Sequence, residues 1–536
     1  MRGRVGPGLW LLPLLVAVGL LLRLIGLRWG FPLLLHPDEP SVVRPAHDMI
    51  LGHTLDPGFF KRPNHFSIYL SALLYQPLSR LLLHKSFAVG YAQNPDFFYL
   101  VSRGVVAVAG TLSIVVGFFI GREFNARVGY LVAAAVAVLP AFVENSHYAA
   151  PDVTLTLLLM LVVLFCLRYL RRPSRANLGL ALLSAATATI EKYPGVLSLL
   201  LILSVVVFAP PGRWQRRLLR AAAATCVFVA AVAVLSPYLI IRHTQVVADI
   251  INEARPTNLG ADGLGWLGNL RFYAVSYYAD TGLLLAIAMV AGLAHLVRRR
   301  DPRLLPLLFS FGFWIALGKV SLHWERWALP MYIGPLVLAC IGVDLAWRRL
   351  EAGRGTRRRL LLLGTVAVAG VFASMGLTSL ARSVDLGLTD TRVAALQYVR
   401  GAGITRAQTI YDGYTPFAPG TNFSALSMTG RARQDPGVRF VMISSSMYGR
   451  YMREPDRYPA EDAFYQRVMG MPLVAEFVPD MRTRTVQART TAPRGWRDLL
   501  PEAKNAVDAA AFLAYAAGTT RPLGGPTIRI FRYVVG

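Results

Sequence analysis

The sequence predicts a polytopic α-helical membrane protein with a C-terminal α/β domain, and three observations support this fold class. Hydrophobic residues make up 54% of the 536-residue chain and charged residues only 16%, which leaves too little polar surface for a soluble protein of this length. Apolar runs long enough to cross a bilayer recur as far as residue 381. Beyond that point the runs stop, and shorter strand and helix patterns take over.

About eleven apolar runs are predicted to be transmembrane helices. The first follows a basic start, approaches the roughly 20 residues needed to span, and has no small-residue cleavage site behind it. We therefore expect it to stay in the membrane and not to be removed as a signal peptide. The runs lie at about 8–28, 98–121, 127–143, 153–170, 177–191, 194–209, 218–240, 282–297, 304–319, 328–347 and 359–381.

Arginine clusters predict the orientation of these helices. Stretches such as "RYLRRPSR", "RWQRRLLR" and "VRRRDPR" fall in alternate loops, which the positive-inside rule assigns to the cytoplasm. The bias holds only if the partly polar run 66–83 lies in the membrane interface and does not cross. The N-terminus is then cytoplasmic, and the first loop (29–97) is extracytoplasmic. The formal net charge of +26 thus reflects topology and not nucleic-acid binding.

The tail has the composition of a folded extracytoplasmic domain. "VRFVMISSS", "PLVAEFVPD" and "PTIRIFRYV" predict strands, and "DTRVAALQYVRGAG" and "AEDAFYQRVMG" predict helices. We expect a membrane domain over 1–381 and a compact α/β domain over 382–536, of about 150 residues.

Three acidic residues stand at predicted extracytoplasmic helix ends. Asp38 and Glu39 are adjacent in "LLLHPDEPSV", and repulsion between neighbouring carboxylates raises the pKa of one, which suits it to proton transfer. A solvated pair beyond a helix end explains the same spacing equally well. Asp152 follows Pro151 at the start of a helix, where aspartate is a good N-cap. A capping residue can also face a cavity.

Basic residues approach the same face. Arg103 lies about one turn inside a membrane helix, where a charge is costly and usually functional. Lys192 separates two apolar runs, with snorkelling to the interface as the alternative. His323 and Arg326 in "KVSLHWERWALPMY" flank the start of another helix. Lys61 in "FFKRPNHF" precedes the interfacial run, and contact with lipid headgroups explains it as well.

These charges suit an enzyme that acts on a lipid phosphate. The carboxylates would take a proton while the cations hold a phosphate leaving group. A secondary transporter or flippase for a lipid-linked or anionic envelope precursor would use such charges for ion coupling, but it predicts inverted repeats and charges deep within spans. A non-catalytic scaffold for envelope assembly is a further alternative.

The motifs resemble those of the GT-C glycosyltransferases. "HPDEP", "KRPNHFSIYL", "HYAAPDVTL", "EKYPGVL" and "HWERWALPMY" are similar to the protein O-mannosyltransferase and lipid A aminoarabinose transferase branch, which uses polyprenyl-phosphate sugars. The resemblance covers about 1–381, and the tail more weakly. It implies the GT-C fold, with about 11 transmembrane helices and interfacial helices in the first outer loop.

The resemblance implies an inverting hexosyl- or pentosyltransferase. Asp38 would be the catalytic base, assisted by Glu39, and Asp152 matches the acid before the fourth span. Arg103, Lys192 and Arg326 would contact the carrier phosphate, and His323 and Lys61 are further candidates for donor binding. The implied partners are membrane lipids, a polyprenyl-phosphate sugar donor and a glycan, lipid or protein acceptor.

The resemblance leaves metal dependence open. Some members of the branch carry a divalent metal ion near the site, and here His36, His147 and His323 are possible ligands, although no spacing predicts a site. The Ala/Arg/Val-rich composition suggests a bacterium of high GC content, so the plasma membrane is the expected location.

Overall fold

The computed structural model describes residues 10–208, 213–254, 257–258, 260–352, 355–428, 435–480, 500–519 and 523–534. The first two residues of the predicted span 8–28 and the last residue of 194–209 lie outside these ranges. All later statements concern the described residues.

The chain is mostly helical, and each predicted span falls on one helix or on two consecutive helices. The helices of the membrane part are α1 (Leu11–Leu24), α2 (Pro40–Leu51), α3 (His65–Leu78), α4 (Phe87–Gln93), α5 (Pro95–Arg122), α6 (Ala126–Val138), α7 (Pro140–Asn145), α8 (Pro151–Arg171), α9 (Arg175–Glu191), α10 (Leu197–Phe208), α11 (Trp214–Leu235), α12 (Tyr238–Ile241), α13 (His243–Glu253), α14 (Gly265–Arg298), α15 (Leu304–Gly318), α16 (Leu329–Glu351) and α17 (Thr356–Gly387). Short 3-10 helices at Tyr193–Val196 and Glu325–Ala328 lead into α10 and α16.

The long apolar helices make this a multi-pass membrane protein. Six described helices have the length and apolarity to cross a bilayer: Pro95–Arg122, Pro151–Arg171, Trp214–Leu235, Gly265–Arg298, Glu325–Glu351 and Arg358–Gly387. Four shorter apolar helices accompany them, at Leu11–Leu24, Ala126–Val138, Tyr193–Phe208 and Leu304–Gly318.

The first loop is itself helical. Helix α3 continues into a π-helical turn at Ser79–Leu83, so the polar run 66–83 forms one helical segment. Buried side chains of α2 and α3, including Val43, Ile68 and Tyr75, pack with Phe98 of α5. The loop is therefore a folded layer against one end of the helix bundle, not an open connection.

A buried arginine stabilises the break between α6 and α7. Pro140 begins α7 and has no N–H to continue the ladder of α6, so carbonyl groups at the end of α6 lack helical donors. The fully buried Arg23 of α1 donates to the carbonyl oxygens of Val136 at 3.1 Å and Ala137 at 3.2 Å. This contact sets the course of the chain toward Asp152.

The tail contains a four-stranded sheet. Its strands are β2 (Thr409–Tyr411), β3 (Phe440–Ser444), β4 (Leu473–Phe477) and β6 (Ile528–Arg532), in the order β2-β3-β6-β4, with β2 parallel to β3 and the other pairs antiparallel. A two-residue parallel pair joins β1 (Thr389–Asp390) to β5 (Leu523–Gly524). Helices α18 (Thr391–Gly401), α19 (Ser445–Tyr451) and α20 (Pro459–Met469) accompany the sheet. Three of these strands lie within the segments predicted as strands.

One tail helix, not predicted from the sequence, packs on the membrane helices. Helix α21 (Pro501–Gly518) lies against α14 and α17. At Gly282, where φ is +80°, α14 breaks, and Glu502 of α21 accepts the N–H of Leu283 at 3.3 Å. A carboxylate is well placed there, because Leu283 begins the second half of α14 and helix N-termini favour negative charge.

Candidate functional site

Five charged side chains form one continuous set of ion pairs at the end of the bundle that carries the first loop. Asp38 lies 3.0 Å from Arg62 and 2.7 Å from Arg326. Arg326 also lies 3.5 Å from Asp152, which is 2.6 Å from Lys192. We call this set the ion-pair network. It brings together four residues that the sequence predicted as site residues, since Arg62 is the one addition.

Local backbone contacts fix the position of Asp38 in the first loop. The carbonyl oxygen of Asp38 accepts the Ser41 hydroxyl at 2.6 Å and the Ser41 N–H at 3.0 Å, at the start of α2. The backbone N–H of Asp38 donates to Nδ1 of His36 at 3.3 Å, and the His36 ring stacks on Tyr148 at 4.6 Å. These contacts hold the Asp38 side chain toward Arg326.

Asp152 lies in the first turn of α8, behind Pro151 at the first helical position. The N-capping position belongs to Ala150, so Asp152 does not cap the helix as its sequence context allowed. A carboxylate in the first turn is stabilised by the helix dipole. Its side chain is nearly buried, at 4% exposure, and faces Lys192 and Arg326.

The two cations that meet Asp152 come from breaks between helices. Lys192 separates α9 from the 3-10 helix Tyr193–Val196, and its ammonium lies 5.1 Å from the Trp327 ring. The turn requires Gly195, because a Cβ there would lie 2.3 Å from the carbonyl oxygen of Ala188. Arg326 sits in the 3-10 helix before α16, with its guanidinium 5.3 Å from the Trp324 ring. The indole rings provide rigid packing and cation–π contact for both cations.

The electrostatics of the network keep Asp38 ionised. Burial alone raises the pKa of Asp38, but the guanidinium groups of Arg326 and Arg62 outweigh burial and hold the pKa well below its usual range. Burial lowers the pKa of Lys192, and Asp152 opposes that effect. Arg62 also lies 3.5 Å from Glu253, so a third carboxylate stands at the edge of the network. In this arrangement Asp38 is a carboxylate anion but a weak base.

Glu39 and Arg103 form a separate buried pair. Both side chains are fully buried, and the guanidinium donates to the two carboxylate oxygens at 2.7 and 2.8 Å. Arg103 also donates to the carbonyl oxygens of Leu27 at 2.9 Å and Trp29 at 2.8 Å, while Glu39 accepts the Ala149 N–H at 3.0 Å. The pair therefore ties α5 and the segment before α8 to the first loop, and Arg103 does not face the ion-pair network.

Comparison with known proteins supports the resemblance. Residues 99–241 match the family model of dolichyl-phosphate-mannose-protein mannosyltransferase. ArnT from Cupriavidus metallidurans, in the apo state, is 15% identical with a TM-score of 0.50, over 86% of this chain and 95% of that one. The archaeal oligosaccharyltransferase AglB from Archaeoglobus fulgidus is 12% identical with a TM-score of 0.54, over 99% of this chain and 88% of that one. The chain therefore shares its overall fold with these two proteins, and its residues 99–241 match the mannosyltransferase family model.

The same comparisons do not support the transporter alternative. The family model and AglB are both named for glycosyl transfer, and nothing among these matches supports a transporter or flippase. The AglB structure contains an inhibitory peptide and a dolichol-phosphate. Comparison with curated proteins found no matching sequence.

Two residues that the sequence predicted as donor-binding make no described contact with the network. The ring of His323 packs 4.7 Å from Phe272, and its backbone N–H donates to Ala261 at 2.8 Å. Lys61 is exposed and, among the described contacts, forms none with the network. Its neighbour Arg62 occupies the inward position. Of the two adjacent cations in "KRP", only Arg62 pairs with Asp38, whereas Lys61 is exposed.

The described residues do not assemble a metal site from the candidate ligands. His36 stacks on Tyr148, both ring nitrogens of His147 lie within hydrogen-bonding distance of backbone carbonyls, and His323 packs on Phe272. No group of three His, Cys, Asp or Glu side chains suited to a metal is found in the described part of the chain. The oxygens of Asp38 and Asp152 are instead directed at basic side chains.

A tail loop covers the first loop beside the network. A Cβ on Gly420 would lie 3.1 Å from the carbonyl oxygen of Leu34, so the two backbones are in close contact. Arg392 donates to the carbonyl of Pro419 at 3.4 Å, and Arg457 binds Asp262 through two hydrogen bonds of 2.8 Å. The tail therefore packs directly on the loops that carry the site.

Two polar residues that sequence reasoning did not assign to the site help to build it. Tyr148 is the stacking partner of His36. Glu191, next to Lys192, accepts the N–H of Ser67 at 3.0 Å in the first turn of α3. The sequence offered one indication that Glu191 belongs to the site, because it stands beside Lys192 at a helix break. The partner of its carboxylate, Ser67, lies far away in the sequence, so the contact itself was not visible there.

Proposed function

We propose that this chain is an inverting glycosyltransferase that moves a hexosyl or pentosyl unit from a polyprenyl-phosphate donor to an acceptor. The observation that carries the proposal is the ion-pair network, in which Asp38 and Asp152 share Arg326 while Arg62 and Lys192 flank them. A general base and several phosphate-binding cations are what such a transfer requires.

The proposed setting is the outer face of a bacterial plasma membrane. The arginine-rich loops support a cytoplasmic N-terminus, eleven spans, and a first loop and α/β tail domain outside. The donor class is supported by the family model, named for dolichyl-phosphate-mannose, and by the dolichol-phosphate in the AglB structure. The acceptor is a glycan, lipid or protein that reaches the network from outside.

Donor binding would activate the base. A phosphate that takes the guanidinium of Arg326 competes directly with the Asp38 carboxylate for the same N–H groups. Losing that contact removes the main charge that lowers the pKa of Asp38, so its basicity rises when the donor is in place. The enzyme without donor would hold Asp38 in an inactive ion pair.

The proposed reaction is a single displacement. Asp38 takes the proton from an acceptor hydroxyl or amine, and the acceptor atom attacks the anomeric carbon. The bond between that carbon and the phosphate oxygen breaks, and the oxygen keeps the electron pair. Arg326 and Lys192 stabilise the negative charge that grows on the phosphate, with Asp152 holding both in position. One in-line displacement inverts the anomeric configuration.

Glu39 and Arg103 are proposed as positioning residues and not as reacting groups. Both are fully buried and bound to each other, which leaves Glu39 unsuited to collect a proton from a substrate. The hydrogen bond that the Ala149 N–H donates to the Glu39 carboxylate instead links the segment of Asp38 to the segment of Asp152. The proposal thus assigns the two adjacent acids different tasks.

The test is transfer by the purified protein from a panel of radiolabelled polyprenyl-phosphate sugars. Replacing Asp38→Asn should lower turnover by about 100-fold or more, because a general base typically contributes 10²–10⁴-fold, while donor binding persists. Asp48→Asn is the matched control, since Asp48 is an exposed carboxylate of the same loop that pairs with His47. Equal turnover by the Asp38 variant and the wild type would overturn the assignment.

A further inference from the structure

A polar cavity lies in the first loop and shares no lining residue with the ion-pair network. It has a volume of about 170 Å³ and lies between the end of α2, the α3 segment and the start of α4. His53, Gln76 and Arg80 line it, with the ring of Phe87 and Ala88 on the α4 side. Among the described residues, these three polar side chains form no ion pair or side-chain hydrogen bond.

The surroundings of this cavity are basic. Residues 73–93 contain Arg80, His84 and Lys85 and no acidic residue. The carboxylate of Asp48 in the nearby α2 lies 2.7 Å from Nδ1 of His47, so it is already paired. A guanidinium that faces a cavity with amide and imidazole donors beside it suits an anion with several oxygen acceptors, such as a phosphate.

The segments that carry the lining residues of the cavity also carry exposed leucines. Leu73 is 70% exposed, Leu81 is 67% exposed and Leu55 is 69% exposed, with Leu51 and Leu82 exposed beside them. An exposed leucine cluster of this density is unusual in contact with water. On a helical segment that lies in the membrane interface it places hydrocarbon into the acyl-chain region and the basic residues at headgroup level.

The local helix geometry brings the cation and the leucines together. Pro77 lies within α3 and interrupts its hydrogen-bond ladder, and the helix continues as the π-helical turn Ser79–Leu83. The turn is closed by Ser79, whose hydroxyl donates to the carbonyl of Lys85 at 3.1 Å. Arg80 and Leu81 are consecutive in this turn, so charge and hydrocarbon are presented side by side.

We propose that this cavity binds the phosphate headgroup of an anionic membrane phospholipid. Arg80, Gln76 and His53 donate to the phosphate oxygens, and the acyl chains lie along Leu73, Leu81 and Leu82. This inference does not depend on the proposed glycosyl transfer. The bound phospholipid holds the first loop, and with it Asp38, at a fixed height on the membrane surface.

The experiment measures retention of phosphatidylglycerol against phosphatidylcholine by the full chain, purified in detergent and titrated with each lipid, with native mass spectrometry as the readout. We expect Arg80→Gln to weaken phosphatidylglycerol binding about tenfold, as loss of one charge-assisted contact does. Ala88→Trp should weaken it as well, by filling the cavity mouth without a change of charge. Arg271→Gln, which alters an exposed arginine of α14, is the matched control and should bind as the wild type does.

Two outcomes would overturn the proposal. One is equal retention of the two lipids by the wild type, or unchanged retention by both cavity variants, which would mean that only general annular lipid is bound. The other is displacement of phosphatidylglycerol by an equimolar polyprenyl phosphate together with loss of transfer by Arg80→Gln, which would assign the cavity to the donor. Full transfer by Arg80→Gln with weakened phosphatidylglycerol binding supports it. If the wild type transfers no sugar in the assay, that result argues against the proposed function but not against phospholipid binding in this cavity.

Discussion

The guanidinium of Arg326 lies 2.7 Å from the carboxylate of Asp38, although the two residues come from opposite ends of the membrane part of the chain. Trp324 and the 3-10 helix Glu325–Ala328 hold the arginine in place from one side. On the other side, the turn at Ser41 holds the acid. Because Arg326 also reaches Asp152, a ligand that competes for this single cation alters the surroundings of both carboxylates.

The role of Arg326 can be tested through the pH profile of transfer. Arg326→Gln removes the main cation beside Asp38, so the pKa of Asp38 should rise toward its ordinary range. A base must be ionised to act, and the acidic limb of the profile should therefore move to higher pH. Turnover should also fall about 100-fold, as when one donor to a developing charge is removed.

The measurements are kcat, which gives the loss of turnover, and kcat/KM against pH, which reports the free enzyme in which Arg326 pairs with Asp38, for the wild type, Arg326→Gln and the exposed control Arg271→Gln. An acidic limb that stays in place while turnover falls would show that Arg326 acts on the phosphate without affecting Asp38. Unchanged turnover would remove Arg326 from the site.

The buried pair of Glu39 and Arg103 should matter for stability. Glu39→Gln leaves the guanidinium buried without its carboxylate, which typically costs about 3–5 kcal/mol. The double variant Glu39→Met with Arg103→Met removes both charges and should recover part of that loss. The readout is the free energy of unfolding, from chemical denaturation in detergent.

Asp48→Asn serves as the control for the same loop. A Glu39→Gln protein as stable as the wild type would show that the pair does not hold the loop. A double variant less stable than Glu39→Gln would show that the pair is more than a charge-compensating contact.

Asp412 should make the stability of the tail depend on pH. Burial raises the pKa of Asp412 to about 7, against the hydrogen bonds from Ala425 and Tyr465 that lower it. The folded tail then holds a proton that the unfolded chain releases near pH 4. Stability should therefore fall as pH rises from about 4 to about 7, by roughly 1–4 kcal/mol.

Thermal unfolding between pH 4 and pH 8 checks this dependence. Asp412→Asn should flatten it, whereas Asp456→Asn, which alters an exposed carboxylate of the same tail, should not. A wild-type tail whose stability rises with pH over this range would contradict the buried, protonated state.

The membrane helices were predictable because a span needs a continuous apolar run, which is visible in one dimension. The convergence of Asp38, Asp152, Lys192 and Arg326 was predictable for a related reason. Each stands at a helix end that the arginine bias assigns to the same side, so the possible distances between them were already limited.

Which charged side chains pair with one another at this end of the helix bundle was not predictable. Arg103 was expected to face a phosphate, but it is bound to Glu39, and local sequence does not reveal which carboxylate a buried arginine meets. Lys61 and Arg62 look alike in sequence, and only the docking of the first loop decides which one turns inward. Helix α21 was not predicted from the sequence, because its Ala-rich pattern has no long apolar run.

The carboxylate of Glu502 at the break in α14 has a consequence for biosynthesis. Ribosomes deliver the chain from its N-terminus, so residues 283–298 are inserted long before residue 502 is made. Until then the Leu283 amide lacks its acceptor and the facing surface of α17 has no partner helix. The bundle consequently reaches its mature packing only after residue 502 has been made, and a chain that terminates before this residue would carry a helix end whose amide lacks its acceptor.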